Sequence, residues 1–156
     1  MSTKRGTIII VDDEPGVIEI VEANLEPKGY RVLSANTGQE ALEKIRKAKP
    51  DLVVLDVMMP EMDGWEVLRR IEQDPKTAGL PVIMLTVKSG DEDILRALEA
   101  GAVEYITKPF YPQDVVARVE IMLDVFDATM RDHYRQGMIA KRKRFLEHKV
   151  ESAKKT

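Results

Sequence analysis

The sequence predicts an α/β fold: a doubly wound, mostly parallel sheet of five strands with helices on both faces, followed by an extended C-terminal helix. Three observations lead there. Short apolar runs alternate strictly with amphipathic stretches of helical period; the runs are continuous, so neither face of a strand is left for water; and Pro, Gly or Asp punctuate the joins.

The first strand is TIIIV, residues 7–11. Pro15 then suits the first turn of a helix, where a missing N–H is harmless, and Val17, Ile18, Val21 and Leu25 recur at helical spacing until Pro27 and Gly29 stop it. RVLSA, residues 31–35, is the second strand. Thr37 and Glu40 have the Thr-x-x-Glu form of a capping box, which opens a helix through Ala41, Leu42 and Ile45 that stops at Pro50. The run LVVL in DLVVLDVMMP, residues 51–60, is the third strand, and Gly64 to Ile71 the third helix, apolar at Trp65, Val67, Leu68 and Ile71. Pro81 introduces the fourth strand, PVIMLT. Asp91 begins a helix carrying Ile94, Leu95 and Leu98 on one side, ended by Gly101, and VEYIT, residues 103–107, is the fifth strand. From Pro112 the chain reads as helix for a long way.

Composition narrows the class. At 156 residues and 44% hydrophobic content the chain holds one ordinary core and an appendage. It has no cysteine, which excludes a disulfide framework and thiolate metal sites, and no apolar segment near the ~20 residues a membrane helix needs, so a soluble cytoplasmic protein is expected. The net charge of −3 divides unevenly, about −7 over residues 1–120 and +4 over residues 121–156.

In an open parallel sheet, ligands bind beyond the carboxyl ends of the strands. The first strand ends in Asp12-Asp13-Glu14, the third in Asp56, the fourth in Thr86 and the fifth in Thr107-Lys108-Pro109. Any one of these is ordinary for a strand end. Together they put carboxylates, a hydroxyl and an ammonium at one edge of one sheet. Carboxylates hold a hard divalent cation, and a lysine and hydroxyl beside that ion suit an oxyanion, so the set describes a phosphoryl-group site with Asp56 as ligand or nucleophile.

The stretches VDDE at 11–14, LDVMMPEMDG at 55–64, MLT at 84–86 and EYITKPF at 104–110 resemble the receiver domain of two-component response regulators, over residues 6–126. The resemblance implies a flavodoxin-like strand order of 2-1-3-4-5. It implies that Asp56 accepts a phosphoryl group from a histidine kinase or histidine phosphotransfer protein, and that Asp12, Asp13, Asp56 and the Met58 backbone carbonyl hold Mg²⁺. Thr86 and Lys108 would contact the phosphoryl group, Thr86 and Tyr105 would form the switch, and the Lys108-Pro109 bond would be cis. Such a protein is a phosphoacceptor that promotes its own phosphorylation and dephosphorylation rather than an ordinary enzyme. Its output face would comprise parts of residues 91–100, 103–107 and 112–126.

The receiver pattern spans residues 1–126, and residues 127–156 form a basic helical extension or linker. Val115, Val119, Met122, Phe126 and Thr129, spaced 4, 3, 4 and 3, would let the last receiver helix continue as a coiled-coil-like seam; Phe126, Met130, Tyr134 and Met138 form a second stripe, interrupted by Gly137. A homodimer through the output face or this helix is the expected self-contact. Competing readings are a haloacid-dehalogenase-like phosphohydrolase, which wants an acid where Met58 stands, a phosphorylation-independent scaffold, and a nucleic-acid binder using Lys141-Arg-Lys-Arg144. Nucleic acid is not the expected partner, because Phe145 alone gives little aromatic interleaving.

Overall fold

The computed structural model describes residues 5–154, so the outermost ends of both expected segments, residues 1–4 and 155–156, lie outside the described residues. Five strands, β1 (Thr7–Val11), β2 (Arg31–Ala35), β3 (Leu52–Leu55), β4 (Val82–Thr86) and β5 (Glu104–Thr107), pair in the order β2-β1-β3-β4-β5, all parallel. Between and after them run α1 (Pro15–Leu25), α2 (Gly38–Ala48), α3 (Gly64–Gln73), α4 (Asp91–Glu99), α5 (Pro112–Glu120) and α6 (Ala128–Lys154).

Both faces of the sheet are dry, as the continuous runs require. Ile9, Val11, Val53, Leu55, Val82 and Met84 face α2, α3 and α4, while Ile8, Ile10, Leu52, Val54, Ile83 and Leu85 face α1 and α5. Burying each of these side chains stabilises by roughly 1.5–3 kcal/mol. The expected helix signals act as read. Thr37 Oγ1 accepts from the Glu40 amide at 3.1 Å, and the Glu40 carboxylate reaches back to the Asn36 amide at 3.2 Å. Helix α1 is followed by a 3₁₀ turn at Glu26–Lys28, and Gly29 leaves it in the left-handed region at φ 99°. Helix α2 ends sooner than Pro50 alone would require, because Lys49 turns left-handed at φ 48°.

The C-terminal third departs from one expectation. After α5 the chain widens into a π-helical turn, Ile121–Val125, and Phe126 is extended at φ −94° and ψ 134°. Val115, Val119 and Met122 are consumed by the core beneath the sheet, so they offer no seam to a partner helix. Asp127 then accepts from the Met130 amide at 2.9 Å and starts α6 afresh. The new helix folds back over α4, where Ile139 is buried with Ile94, Ala97 and Leu98. The C-terminal helix is present, but as a second body packed on the first.

Candidate functional site

The sheet order reverses at β1, which has β2 on one side and β3 on the other. The crevice above their carboxyl ends is the expected ligand position, and there the backbone sets two carboxylates side by side. The Asp56 amide donates to the Val11 carbonyl at 2.9 Å and the Asp12 amide to the Ala35 carbonyl at 3.2 Å, extending the ladders one residue past the strands. Asp12 is fully buried and Asp56 is 3% exposed. Asp13 and Glu14 are exposed at the rim, yet carboxylate oxygens of Asp12, Asp13, Glu14 and Asp56 all lie within 4.8 Å of one another.

Among the described residues, one cation faces them. Lys108 Nζ lies 2.8 Å from Asp12 Oδ2, 3.4 Å from Asp56 Oδ2 and 3.4 Å from Glu14 Oε1. The cis Lys108-Pro109 bond follows β5, and the Lys108 amide donates to the Thr86 carbonyl at 2.8 Å. Burial pushes the Asp56 carboxyl up to about 6, with the charge of Asp12 adding to it, against the opposing pull of Lys108 and the Met58 amide. Burial works against the charged form of Lys108 too, but Asp12, Asp56 and Glu14 outweigh it and hold the ammonium above its usual range. A carboxylate cluster with a single ammonium is short of positive charge. Its donors are all hard oxygens, the set that suits a small divalent cation retaining several waters.

The remaining expected residues sit around this centre. Met58 donates its amide to Asp56 Oδ1 at 3.2 Å while its side chain is half exposed. Thr86, fully buried, accepts from the Lys88 amide at 3.4 Å. The Tyr105 hydroxyl donates to the Lys88 carbonyl, so this tyrosine is tied to the loop that Thr86 begins. Burial, then the charges of Asp93 and Asp56, hold its phenol above the ordinary range.

The response regulator receiver domain profile matches residues 8–120. The chain belongs to the response regulator receiver domain family. It is 46% identical over 116 residues to the alkaline phosphatase synthesis transcriptional regulatory protein PhoP of Bacillus subtilis, covering 74% of this chain and 48% of that one. The phosphate regulon transcriptional regulatory protein PhoB of Pseudomonas aeruginosa is 44% identical over 117 residues, covering 75% and 51%. The chain thus spans about half the length of the curated relatives it matches. Among solved structures, the Vibrio cholerae chemotaxis protein CheY4 superposes with a TM-score of 0.71 at 31% identity, covering 75% of this chain and 98% of that one. The protein is a two-component response regulator receiver, which sets aside the haloacid-dehalogenase-like reading. Helix α6 lies wholly beyond the matched residues. Among the described residues no helix is long and apolar enough to cross a membrane.

Two features of this receiver escaped the sequence reading. Gly64 opens α3 against the loop after β3, and a Cβ there would lie 2.2 Å from the Asp56 carbonyl oxygen and 2.7 Å from Val57 Cα. The second is Glu104, 3% exposed, whose carboxylate accepts from the Tyr134 hydroxyl of α6 at 2.7 Å and lies 3.6 Å from Arg118. The first was visible only as a glycine in a turn-rich stretch; the second required knowing that α6 folds back.

Proposed function

We propose that this receiver accepts a phosphoryl group on Asp56 from the phosphohistidine of a histidine kinase or histidine phosphotransfer protein, in a Mg²⁺-dependent step. The observation that carries this is the convergence of Asp56, Asp12 and Lys108 within hydrogen-bonding or ion-pair distance in a buried crevice. An Asp56 carboxylate oxygen attacks phosphorus, the P–N bond breaks, and its electron pair leaves with the imidazole. The donor set fits Mg²⁺, with Asp12, Asp13, Asp56 and the Met58 carbonyl as the residues that would hold it. When bound, the ion would neutralise and orient the phosphoryl oxygens.

The protein's own residues do the rest. The end of β3 fixes the Asp56 carboxylate in place, which removes much of the entropic barrier to attack. Lys108, already at the cluster, is placed to pair with a phosphoryl oxygen, and the Thr86 hydroxyl to donate to another. The product carries more negative charge and more acceptor oxygens than the aspartate it replaces, which gives Thr86 and the loop behind it a new partner.

The test is intact mass after incubation with acetyl phosphate and Mg²⁺. One phosphoryl adduct is expected on the wild type and none on Asp56→Asn or in a chelator-treated control. An adduct that survives Asp56→Asn would place the acceptor elsewhere. No adduct with either acetyl phosphate or a phosphorylated histidine donor would favour the phosphorylation-independent scaffold.

A further inference from the structure

We propose that the outer face of α4 is a helix-binding surface whose occupant is this chain's own α6, and that phosphorylation of Asp56 releases α6 from it. The proposal rests on the phosphoacceptor reading above and goes beyond it.

Helix α6 grips α4 at both ends. At the first turn of α4, Asp91 pairs with Arg142 at 2.9 Å and with Lys149 at 2.7 Å. At the last turn, Arg135 donates to the Leu98 carbonyl at 2.6 Å, beside the Gly101 amide that the same carbonyl accepts at 3.1 Å. Between the two, Ile139 is 9% exposed against Ile94, Ala97 and Leu98, with Met138 packed beside it. Arg135, Met138, Ile139, Arg142 and Lys149 follow helical spacing, so one stripe of α6 carries these contacts, and Lys141, Lys143 and Arg144 are left exposed. While α6 lies there, no second copy and no other protein can use the same face of α4.

The grip is wired to the site. Thr86 Oγ1 accepts from the Lys88 amide, the Lys88 carbonyl accepts from Tyr105, and Asp91, the anchor for Arg142 and Lys149, lies only three residues beyond Lys88. Turning the Thr86 hydroxyl toward a phosphoryl oxygen takes it from the Lys88 amide. That frees the 87–90 loop and lets the first turn of α4 move away from its α6 partners. Release of the whole helix also breaks the Tyr134 hydrogen bond to Glu104 and the Arg131 bond to the Met122 carbonyl, and the extended Phe126 and capping Asp127 are the joint about which α6 then moves.

Hydrogen exchange on the full chain, with Mg²⁺ and with or without beryllofluoride as the phosphoryl mimic, tests the coupling. Exchange over residues 131–146 should accelerate about fivefold or more on beryllofluoride binding. Arg142→Glu should accelerate it without the mimic and, because coupling is reciprocal, tighten beryllofluoride binding by a similar factor. Protection of the site loops with unchanged or slower exchange in α6 would overturn the release, as would Arg142→Glu freeing α6 with no change in beryllofluoride affinity. Failure of beryllofluoride to bind at all would instead overturn the phosphoacceptor reading, and the coupling with it.

Discussion

Asp56 is held in a site that disfavours its charge, and this has a consequence for stability. Its ordinary value of 3.8 rises to about 6 through burial and then the charge of Asp12. Because the folded state binds this proton more tightly than the unfolded chain, stability falls as pH rises from about 4 to about 6 and the loss is complete above that. The rise corresponds to about 3 kcal/mol of destabilisation at neutral pH in metal-free protein. Asp56→Asn removes the charge, so in chelator its melting temperature should exceed that of the wild type at pH 7, with the difference shrinking toward pH 4. An offset that does not vary between those pH values would mean that some other group sets the dependence. The position of Asp56 was legible in the sequence because a charge at the end of an apolar run is conspicuous. Gly64 was not, since the need for a missing Cβ depends on which backbone passes 2.2 Å away.

At the scale of elements, the strands and the first four helices were readable because their apolar spacing and their terminators agree. Thr37 and Gly29 act where the sequence placed them, and β4 and β5 each begin one residue later than expected, at Val82 and Glu104. The join between α5 and α6 was not readable, because a stripe such as Val115, Val119, Met122 and Phe126 specifies that a helix has an apolar side and not what covers it. Here the sheet covers most of it, and the rings of Phe126 and Tyr134 meet across the break at 5.7 Å. Tyr134 then satisfies the buried Glu104, a contact between α6 and β5. Tyr134→Phe should destabilise by about 1.5–3 kcal/mol, the usual worth of a hydrogen bond to a charged group, seen as a lower urea midpoint at unchanged slope. An unmoved midpoint would show that Arg118 and the Tyr105 amide suffice for Glu104.

Over the whole molecule, two acidic concentrations among the described residues differ in how they are balanced. The acidic body, about −7 through residue 120, meets the basic tail where Arg142 and Lys149 close on Asp91. At the opposite extreme, the cluster of Asp12, Asp13, Glu14 and Asp56 has, among the described residues, Lys108 as its ion-pair partner. A fold that keeps such a cluster at the end of its most buried strands should be stabilised by any cation that fits, in proportion to how well it fits. Binding at a hundred times the dissociation constant adds about 2.7 kcal/mol, which for a chain of this size raises the melting temperature by about 5–10 °C. Mg²⁺ should therefore raise it by that amount in the wild type and by far less in Asp12→Asn, whose cluster has lost its most buried carboxylate. Sodium chloride at matched ionic strength should not reproduce the rise, because screening relieves exposed pairs and reaches buried ones poorly. An equal rise in Asp12→Asn would place the stabilising ion outside the crevice, and the charge imbalance there would then have to be relieved by protonation of Asp56 alone.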